Sequence, residues 1–231
     1  RIHLEIIKKC REEVGNDFAI SIKMNSADFQ KGGFSPEDSI QVAKLFSDSG
    51  IDNIEISGGT YEQPRLLGLD KVSINPKRSE NRKESTVARE AYFLSYAEEI
   101  AKVVNIPLMV TGGFRTKEGM EAALADGACE IVGVGRPLCA NPYAIKELLA
   151  GQIDELPKYE KTLSIGPWWL SPTSPFRLIQ AINAFSAQAW FYQQIKKMGK
   201  GLMPDLNLKP WKAFREDAKA DQEAIKEYQN F

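Results

Sequence analysis

Apolar positions along the first part of the chain switch between helical and strand-like spacing. Residues 2–14 carry apolar side chains at helical spacing, and Gly15 is expected to end that helix. The short β-branched segment 18–24 predicts a strand. Ser35 is followed by a proline and two acidic residues, which is the pattern of a helix N-cap, and Gly50 should end this second helix. The chain therefore opens with a helix and one strand–helix unit.

The strand–helix unit then repeats. Each repeat has a short apolar strand that ends at or near glycine and an amphipathic helix that follows it. The predicted strands cover 51–57, 107–111 and 128–134, and the predicted helices cover 87–104, 117–126 and 142–150. Four such units in series predict an α/β fold with a parallel sheet. Proteins of this class bind ligands at the carboxyl ends of their strands.

A long stretch between Gly58 and Thr86 shows no clear period. Loops of this length in compact domains are usually functional or disordered. Because this one leaves the carboxyl end of a predicted strand, we expect a lid or a substrate loop. A solvated insertion is the alternative.

The last third of the chain differs in composition. Prolines bracket a Trp-Trp segment, and residues 176–198 predict one long helix with an apolar stripe. A loop and a polar terminal helix are expected over 201–231. We therefore predict an α/β part over 1–156 and a C-terminal helical extension over 157–231. The stripe of the long helix carries Leu178, Ile182, Phe185, Ala189 and Tyr192.

Charge and composition exclude several functional classes. The 231 residues include 30 Lys and Arg against 31 Asp and Glu, a net charge of −1, which rules out a strongly basic nucleic-acid binder. No apolar run approaches the roughly 18 residues of a membrane span, so we expect a cytoplasmic protein. The three cysteines lie far apart and His3 is the only histidine, so no metal site is expected.

Two glycine-containing loops follow the third and fourth predicted strands. They cover residues 111–116 and 132–137, and each contains an arginine, Arg115 or Arg136. In parallel barrels, phosphate groups are commonly held by the loops after the last two strands, where glycine lets backbone N–H groups approach. The arginines can balance phosphate charge. These loops are therefore the candidate phosphate site, with Arg115 either supporting it or lying at the surface.

Five sequence runs resemble, in order and spacing, the second half of the NADH:flavin oxidoreductase family, to which old yellow enzyme belongs. They are KMNSADFQKGGFSPEDS, IEISGGTYEQP, RKESTVAREAYF, IPLMVTGGFRT and DGACEIVGVGRPL. The resemblance covers nearly the whole chain and is nearest to the NADH oxidase-like branch. It implies a TIM (β/α)8 barrel with FMN at the carboxyl ends of its strands. The four predicted strands would be strands five to eight.

The resemblance also implies roles for individual residues. FMN phosphate contacts fall on Gly112, Gly113 and Phe114 in the first loop, and on Gly135 and Arg136 in the second. Glycine at these positions leaves the main chain accessible to phosphate oxygens.

Lys23 corresponds to the basic residue beside the flavin N1 and C2 carbonyl. A fixed cation there stabilises the negative charge that reduction places on the flavin, and so raises its reduction potential. Many relatives carry arginine; lysine keeps the charge without the planar fork. Ser57, Gly58 and Tyr61 are expected to shape the substrate pocket at the same edge, although a plain glycine turn also explains Gly58.

In this family the groups that bind the acceptor's carbonyl and the proton-donating tyrosine lie in the first half of the barrel, before the strands found here. His3 lies in the opening helix, so a packing or surface role is expected. The chain opens with Arg1 rather than Met, which suggests that an upstream part was removed or not included. A half-barrel exposes two sheet edges and an apolar interior face. We expect a missing N-terminal half, a second copy or the C-terminal segment to cover them.

The sequence thus predicts an FMN-dependent oxidoreductase. Hydride from NADH or NADPH would pass through the flavin to an activated alkene, a quinone or oxygen, with weakened FMN affinity if the upstream half is absent. One alternative is a non-catalytic phosphate-binding or assembly fragment that needs a partner. Another is a sugar-phosphate aldolase or isomerase barrel, for which Lys23 and Glu55 are the near candidates.

Overall fold

The structure is a computed structural model that describes residues 1–28, 32–58 and 93–229. The chain divides into two compact units, Arg1–Val134 and Gly135–Phe231. The division into 1–156 and 157–231 stays a prediction, because a compact unit is defined by contacts and a domain by folding on its own.

The first unit alternates helices and strands. Its helices are α1 (Ile2–Val14), α2 (Pro36–Ser47), α3 (Leu94–Ala101) and α4 (Lys117–Ala125), and its strands are β1 (Ser21–Asn25), β2 (Asn53–Ser57), β3 (Leu108–Thr111) and β4 (Ile131–Gly133). The strands form one parallel sheet in the order β1-β2-β3-β4. The predicted α/β fold with a parallel sheet is therefore confirmed.

Local sequence signals set the helix ends. Gly15 follows α1 with a φ of 76°, a left-handed conformation that glycine adopts without strain. A capping box starts α2: Ser35 Oγ accepts a hydrogen bond from the N–H of Asp38, and the Asp38 carboxylate accepts one from the N–H of Ser35. Thr116 caps α4 by accepting from the N–H of Gly119. The helix start predicted at Ser35 is confirmed.

The apolar core of the first unit lies on one face of the sheet. Alternate residues of β2 and β3 are buried there against α2 and α3, namely Ile54, Ile56, Leu108 and Val110. Successive side chains of a strand point to opposite faces, so the residues between them face the other side. We call the other side of β1 and β2 the polar face; it carries Ser21, Lys23, Asn25, Asn53, Glu55 and Ser57. The expected apolar interior face is therefore wrong for these two strands.

The second unit is helical. Its elements are α5 (Arg136–Ala140), α6 (Ala144–Leu149), two short 3-10 turns (Tyr159–Lys161 and Trp168–Leu170), α7 (Arg177–Gly199) and α8 (Pro210–Gln229). α7 packs against α8 around Trp190, Phe191 and Ala213, which are buried. The predicted long helix and polar terminal helix are confirmed. The helix α5 was not predicted, because Gly135 and Arg136 were interpreted as a loop.

The predicted apolar stripe of α7 matches its buried side only in part, at Ala189 and the partly buried Ile182. Leu178, Phe185 and Tyr192 are exposed, whereas the polar residues Asn183 and Gln194 are buried. The Asn183 side chain hydrogen-bonds the backbone of residues 165, 170 and 179, and that of Gln194 bonds the backbone at 205. These hydrogen bonds satisfy the buried amides, so burial does not follow hydrophobicity here. None of the helices in the described ranges is long and apolar enough to cross a membrane.

Candidate functional site

The four strands of the first unit end side by side. The register pairs the last residues of neighbouring strands, Asn25 with Ser57 and Thr111 with Gly133. The loops after the strands therefore start from one edge of the sheet, the carboxyl edge. This is the edge at which parallel α/β proteins bind their ligands.

Lys23 lies on the polar face two residues before the end of β1. Its Nζ donates a hydrogen bond to Oε1 of Glu55 on β2 at 2.7 Å. The structure thus brings Lys23, which is predicted to lie beside the flavin, into contact with Glu55, which was named only with Lys23 for the aldolase or isomerase alternative. A lysine ammonium group that contacts a carboxylate is a cation held at one place.

The first glycine loop has an unusual backbone. Gly112 and Gly113 have φ values of 115° and 93°, in a region that side chains strongly disfavour. Phe114 is buried in the apolar core, so its backbone rather than its ring is available to a phosphate. Arg115 is only 6% exposed, and its Nη1 donates to the carbonyl oxygen of Phe114 at 2.7 Å. The surface alternative for Arg115 is therefore wrong.

Close packing at the end of β4 requires a glycine. A Cβ on Gly133 would overlap Oγ1 of Thr111 on β3 and would lie 2.8 Å from the Met109 side chain. Thr111 Oγ1 and Ser26 Oγ are both buried, and neither has a hydrogen-bond partner in the described part of the chain. Two hydroxyl groups at the carboxyl edge thus have unused hydrogen-bonding capacity.

The residues predicted to shape a substrate pocket are only partly described. Ser57 ends β2 and Gly58 follows it. A Cβ on Gly58 would lie 2.5 Å from the Phe93 ring and 3.0 Å from Ser26 Oγ, so the packing there requires glycine. Tyr61 lies outside the described residues, as does nearly all of the predicted lid between Gly58 and Thr86.

The second glycine loop belongs to the second unit. Gly135 precedes α5, and no atom of the described residues lies within 4 Å of an added Cβ, so their packing does not demand glycine at this position. Arg136 is the first residue of α5, and its Nη1 lies 3.7 Å from Oε1 of Glu160. Glu160 was not predicted, because nothing in the sequence spacing connects it with Arg136.

Three other side chains with reactive groups are those of His3, Cys129 and Cys139. His3 is exposed and contacts Phe46 edge-on, with ring centroids 6.2 Å apart, which agrees with the expected packing or surface role. Burial, and then the charge of Glu130, raises the pKa of the Cys129 thiol to about 11. Burial also raises the pKa of Cys139. Within residues 1–28, 32–58 and 93–229, no cluster of His, Cys, Asp and Glu could hold a metal ion.

Comparison with known proteins identifies relatives. Residues 1–155 match the NADH:flavin oxidoreductase / NADH oxidase family. The NADH-dependent flavin oxidoreductase iliE of Hypocrea jecorina (strain QM6a) is 38% identical over 151 residues, 63% of this chain and 35% of that protein. The NADH-dependent flavin oxidoreductase iccE of Talaromyces variabilis is 31% identical over 204 residues, 87% of this chain and 47% of that protein. The NADH oxidase of Thermoanaerobacter brockii is 32% identical over 198 residues, 85% of this chain and 28% of that protein.

A solved structure of a complex of 2-naphthoyl-CoA reductase with 2-naphthoyl-CoA is also similar. It aligns with a TM-score of 0.51 and 26% identity over 66% of this chain and 22% of that chain. The chain spans less than half the length of each of these relatives. The matched range 1–155 contains all the candidate residues from Lys23 to Arg136 and supports the predicted FMN and NADH cofactors. The chain belongs to the NADH:flavin oxidoreductase / NADH oxidase family.

Proposed function

We propose that this chain is the FMN phosphate-binding half of a flavin-dependent oxidoreductase. NADH or NADPH is the reductant, and an activated alkene, a quinone or oxygen is the acceptor. The family match over residues 1–155 carries the proposal, because it includes both glycine loops and Lys23. When bound, FMN supplies the two-electron chemistry that links the nicotinamide to the acceptor.

The described residues of the first unit fit a flavin. Gly112 and Gly113 have a backbone that only glycine adopts readily, and no side chain at either position blocks the approach of a phosphate. The buried hydroxyls of Ser26 and Thr111 add polar groups at the same edge. Lys23 adds a cation on the polar face. Within the first unit we assign the phosphate to Gly112, Gly113 and the Phe114 backbone; the family resemblance implies further phosphate contacts at Gly135 and Arg136.

Each residue has a role that follows from its chemistry. The glycines bring backbone N–H groups to phosphate oxygens, and Arg136 balances the phosphate charge. Lys23 stabilises the negative charge that reduction places near the flavin N1, which raises the reduction potential. Ser57, Gly58 and Tyr61 shape the pocket for the acceptor.

The sheet also supports a role as half of a barrel. β1 and β4 are the edge strands of the four-stranded sheet in the described residues. Unpaired strand edges are available to further strands, and closure into a barrel removes them. We propose that β1 to β4 are strands five to eight of a (β/α)8 barrel. An N-terminal half, or a second copy of this chain, supplies the remaining strands.

A binding experiment with a matched control tests this proposal. We compare FMN and riboflavin binding by the 231-residue chain, Gly112→Ala and Gly127→Ala, using equilibrium dialysis. Both glycines have positive φ, 115° and 67°, so alanine is strained at both positions, more so at Gly112, but only Gly112 lies in the glycine loop. We expect Gly112→Ala alone to weaken FMN binding, with riboflavin binding unchanged.

Mixing experiments test the role as half of a barrel. We expect weak FMN binding and little reductase activity from the chain alone. Both should increase when an N-terminal barrel half, taken from the Talaromyces variabilis relative, is added. Full FMN occupancy of the isolated chain would contradict the weakened affinity. Binding of a sugar phosphate in place of FMN would favour the aldolase or isomerase alternative.

A further inference from the structure

The polar face brings one cation and one carboxylate into direct contact. The parallel register pairs Lys23 of β1 with Glu55 of β2, and Lys23 Nζ donates to Glu55 Oε1 at 2.7 Å. The lysine side chain is 55% exposed and the glutamate side chain only 19%. The carboxylate is therefore the fixed partner, and the ammonium group is the one that a ligand can reach.

The sheet itself does not require a charge at Glu55. The preceding row of the polar face is joined by a neutral hydrogen bond, from Ser21 Oγ to Asn53 Oδ1 at 2.7 Å. The polar face lies opposite the apolar core, and partly exposed ion pairs add little to stability. A neutral hydrogen-bonded pair at positions 23 and 55 would join β1 and β2 equally well. The charge of Glu55 therefore matters chiefly for Lys23.

A lysine side chain is flexible, and a point charge must be held if it is to act at one place. Lysine has a four-carbon stem with rotatable bonds, and the ordering of that stem costs entropy. The short contact with a mostly buried carboxylate limits where the ammonium group can lie. We propose that Glu55 is a positioning residue that holds the Lys23 ammonium group on the polar face and reduces the net positive charge that Lys23 presents to the flavin. This inference rests on the proposed function, because it needs FMN beside Lys23.

The charge of Glu55 has a measurable consequence. Reduction adds negative charge to the flavin, so a lone cation favours the reduced form and a nearby carboxylate opposes it. Removal of the carboxylate charge should raise the preference for reduced over oxidised FMN about tenfold. For a two-electron couple, this is a rise in midpoint potential of about 30 mV.

Two neutral variants of similar size distinguish the effect of Glu55 on the position of the Lys23 ammonium group from the effect of its negative charge. Glu55→Gln removes the charge and keeps an oxygen acceptor for Lys23, whereas Glu55→Met removes both. We expect Glu55→Gln to bind FMN as the wild type does and to show the raised potential. Glu55→Met should bind FMN about threefold more weakly or worse, because the ammonium group is no longer held. Redox titration against a reference dye gives the potential, and equilibrium dialysis gives the affinity.

Glu13→Gln is the matched control, because it removes the same charge from an exposed position on α1. Glu13→Gln should leave both the midpoint potential and the FMN affinity unchanged. Potentials are measured at saturating FMN and affinities over a range of FMN concentrations, each with and without the N-terminal barrel half. Failure of the wild type to bind FMN would overturn the proposed function and this inference with it. Wild-type binding with an unchanged potential in Glu55→Gln would overturn only the inference. Equal FMN affinities in Glu55→Gln and Glu55→Met would overturn the positioning role.

Discussion

Arg11, near the end of α1, joins three segments at the amino ends of β1 and β2. Its Nη1 donates to the carbonyl oxygens of Gly15 at 2.8 Å and Phe18 at 2.7 Å. Its Nη2 donates to the carbonyl oxygen of Gly50 at 3.0 Å and to Asp52 Oδ2 at 2.5 Å. Arg11→Met keeps most of the apolar stem and removes all four hydrogen bonds.

The cost of Arg11→Met can be worked out from these contacts. Each carbonyl hydrogen bond contributes about 0.5–1.5 kcal/mol net, and the partly exposed pair with Asp52 about 0–1 kcal/mol. Together these contributions predict a loss of about 1.5–5.5 kcal/mol in the free energy of unfolding. At about 2–4 °C per kcal/mol for a chain of this size, the thermal midpoint should fall by about 3–22 °C. Differential scanning calorimetry measures this fall.

The contact between Arg11 and Asp52 makes part of the free energy of unfolding depend on pH. The N–H of Ile20, and then the guanidinium group of Arg11, hold the pKa of Asp52 below its ordinary value of 3.8. A carboxyl group whose pKa is lower in the folded chain stabilises it above the unfolded pKa, and this contribution is lost as the pH falls through the folded pKa. The wild type should therefore exceed Asp52→Asn in stability at neutral pH, and the difference should shrink below pH 3.8.

Urea unfolding of the wild type, Arg11→Met and Asp52→Asn across a pH series measures these differences. The pKa of Asp205 is also lowered, first by its hydrogen bond from Lys197, but this group is present in every variant and cancels in the comparison. A stability gap between wild type and Asp52→Asn that stays constant down to pH values well below 3.8 would refute the assigned role of Asp52. Wild-type stability in Arg11→Met would refute the role of the arginine.

Three further predictions concern buried positions. Gln194→Met should lower the free energy of unfolding by about 2 kcal/mol in urea titrations, because the backbone N–H and carbonyl of Asp205 lose their partner. Gly133→Ala should cost about 1–3 kcal/mol in the same assay, since its Cβ would overlap Thr111 Oγ1. Cys129, buried and with a pKa near 11, should resist alkylation at neutral pH until the chain unfolds, as followed by intact mass.

Local signals predicted the elements that depend on neighbouring residues. The capping box at Ser35 and the left-handed turn at Gly15 act within one helical turn, so they are visible in the sequence and are found in the structure. The carboxyl-edge position of Gly112 also follows from strand order. The contact between Lys23 and Glu55 was not predicted, because the predicted strands ended at 24 and 57, which put the two residues at different distances from the strand ends. In the structure β1 extends to Asn25, and the parallel register pairs them.

Features that depend on distant partners were not predicted. The buried side of α7 contains Asn183 and Gln194, whose amides bond backbone groups of irregular segments elsewhere in the chain. Hydropathy periodicity assigns such residues to the surface, and so three of the five residues in the predicted stripe are exposed in the structure. The helix α5 was missed for another reason. A glycine signal was interpreted as a loop, although a proline at the second position of Arg136–Ala140 favours a helix start.

Successive side chains of β2 point to opposite faces of the sheet. One face contributes to the stability of the chain, and the other carries the proposed chemistry. Ile54 and Ile56 are fully buried in the apolar core, while Glu55 between them contacts Lys23 on the opposite face. Loss of a buried methylene or methyl group costs stability through reduced packing, whereas a neutral substitution at Glu55 changes an electrostatic interaction outside that core. Ile54→Val should therefore lower the unfolding midpoint without changing the flavin potential. Glu55→Gln should raise the flavin potential without changing the unfolding midpoint. If the two variants changed both quantities in parallel, the two faces of the sheet would not act independently, and the assignment of Glu55 to Lys23 would lose its basis.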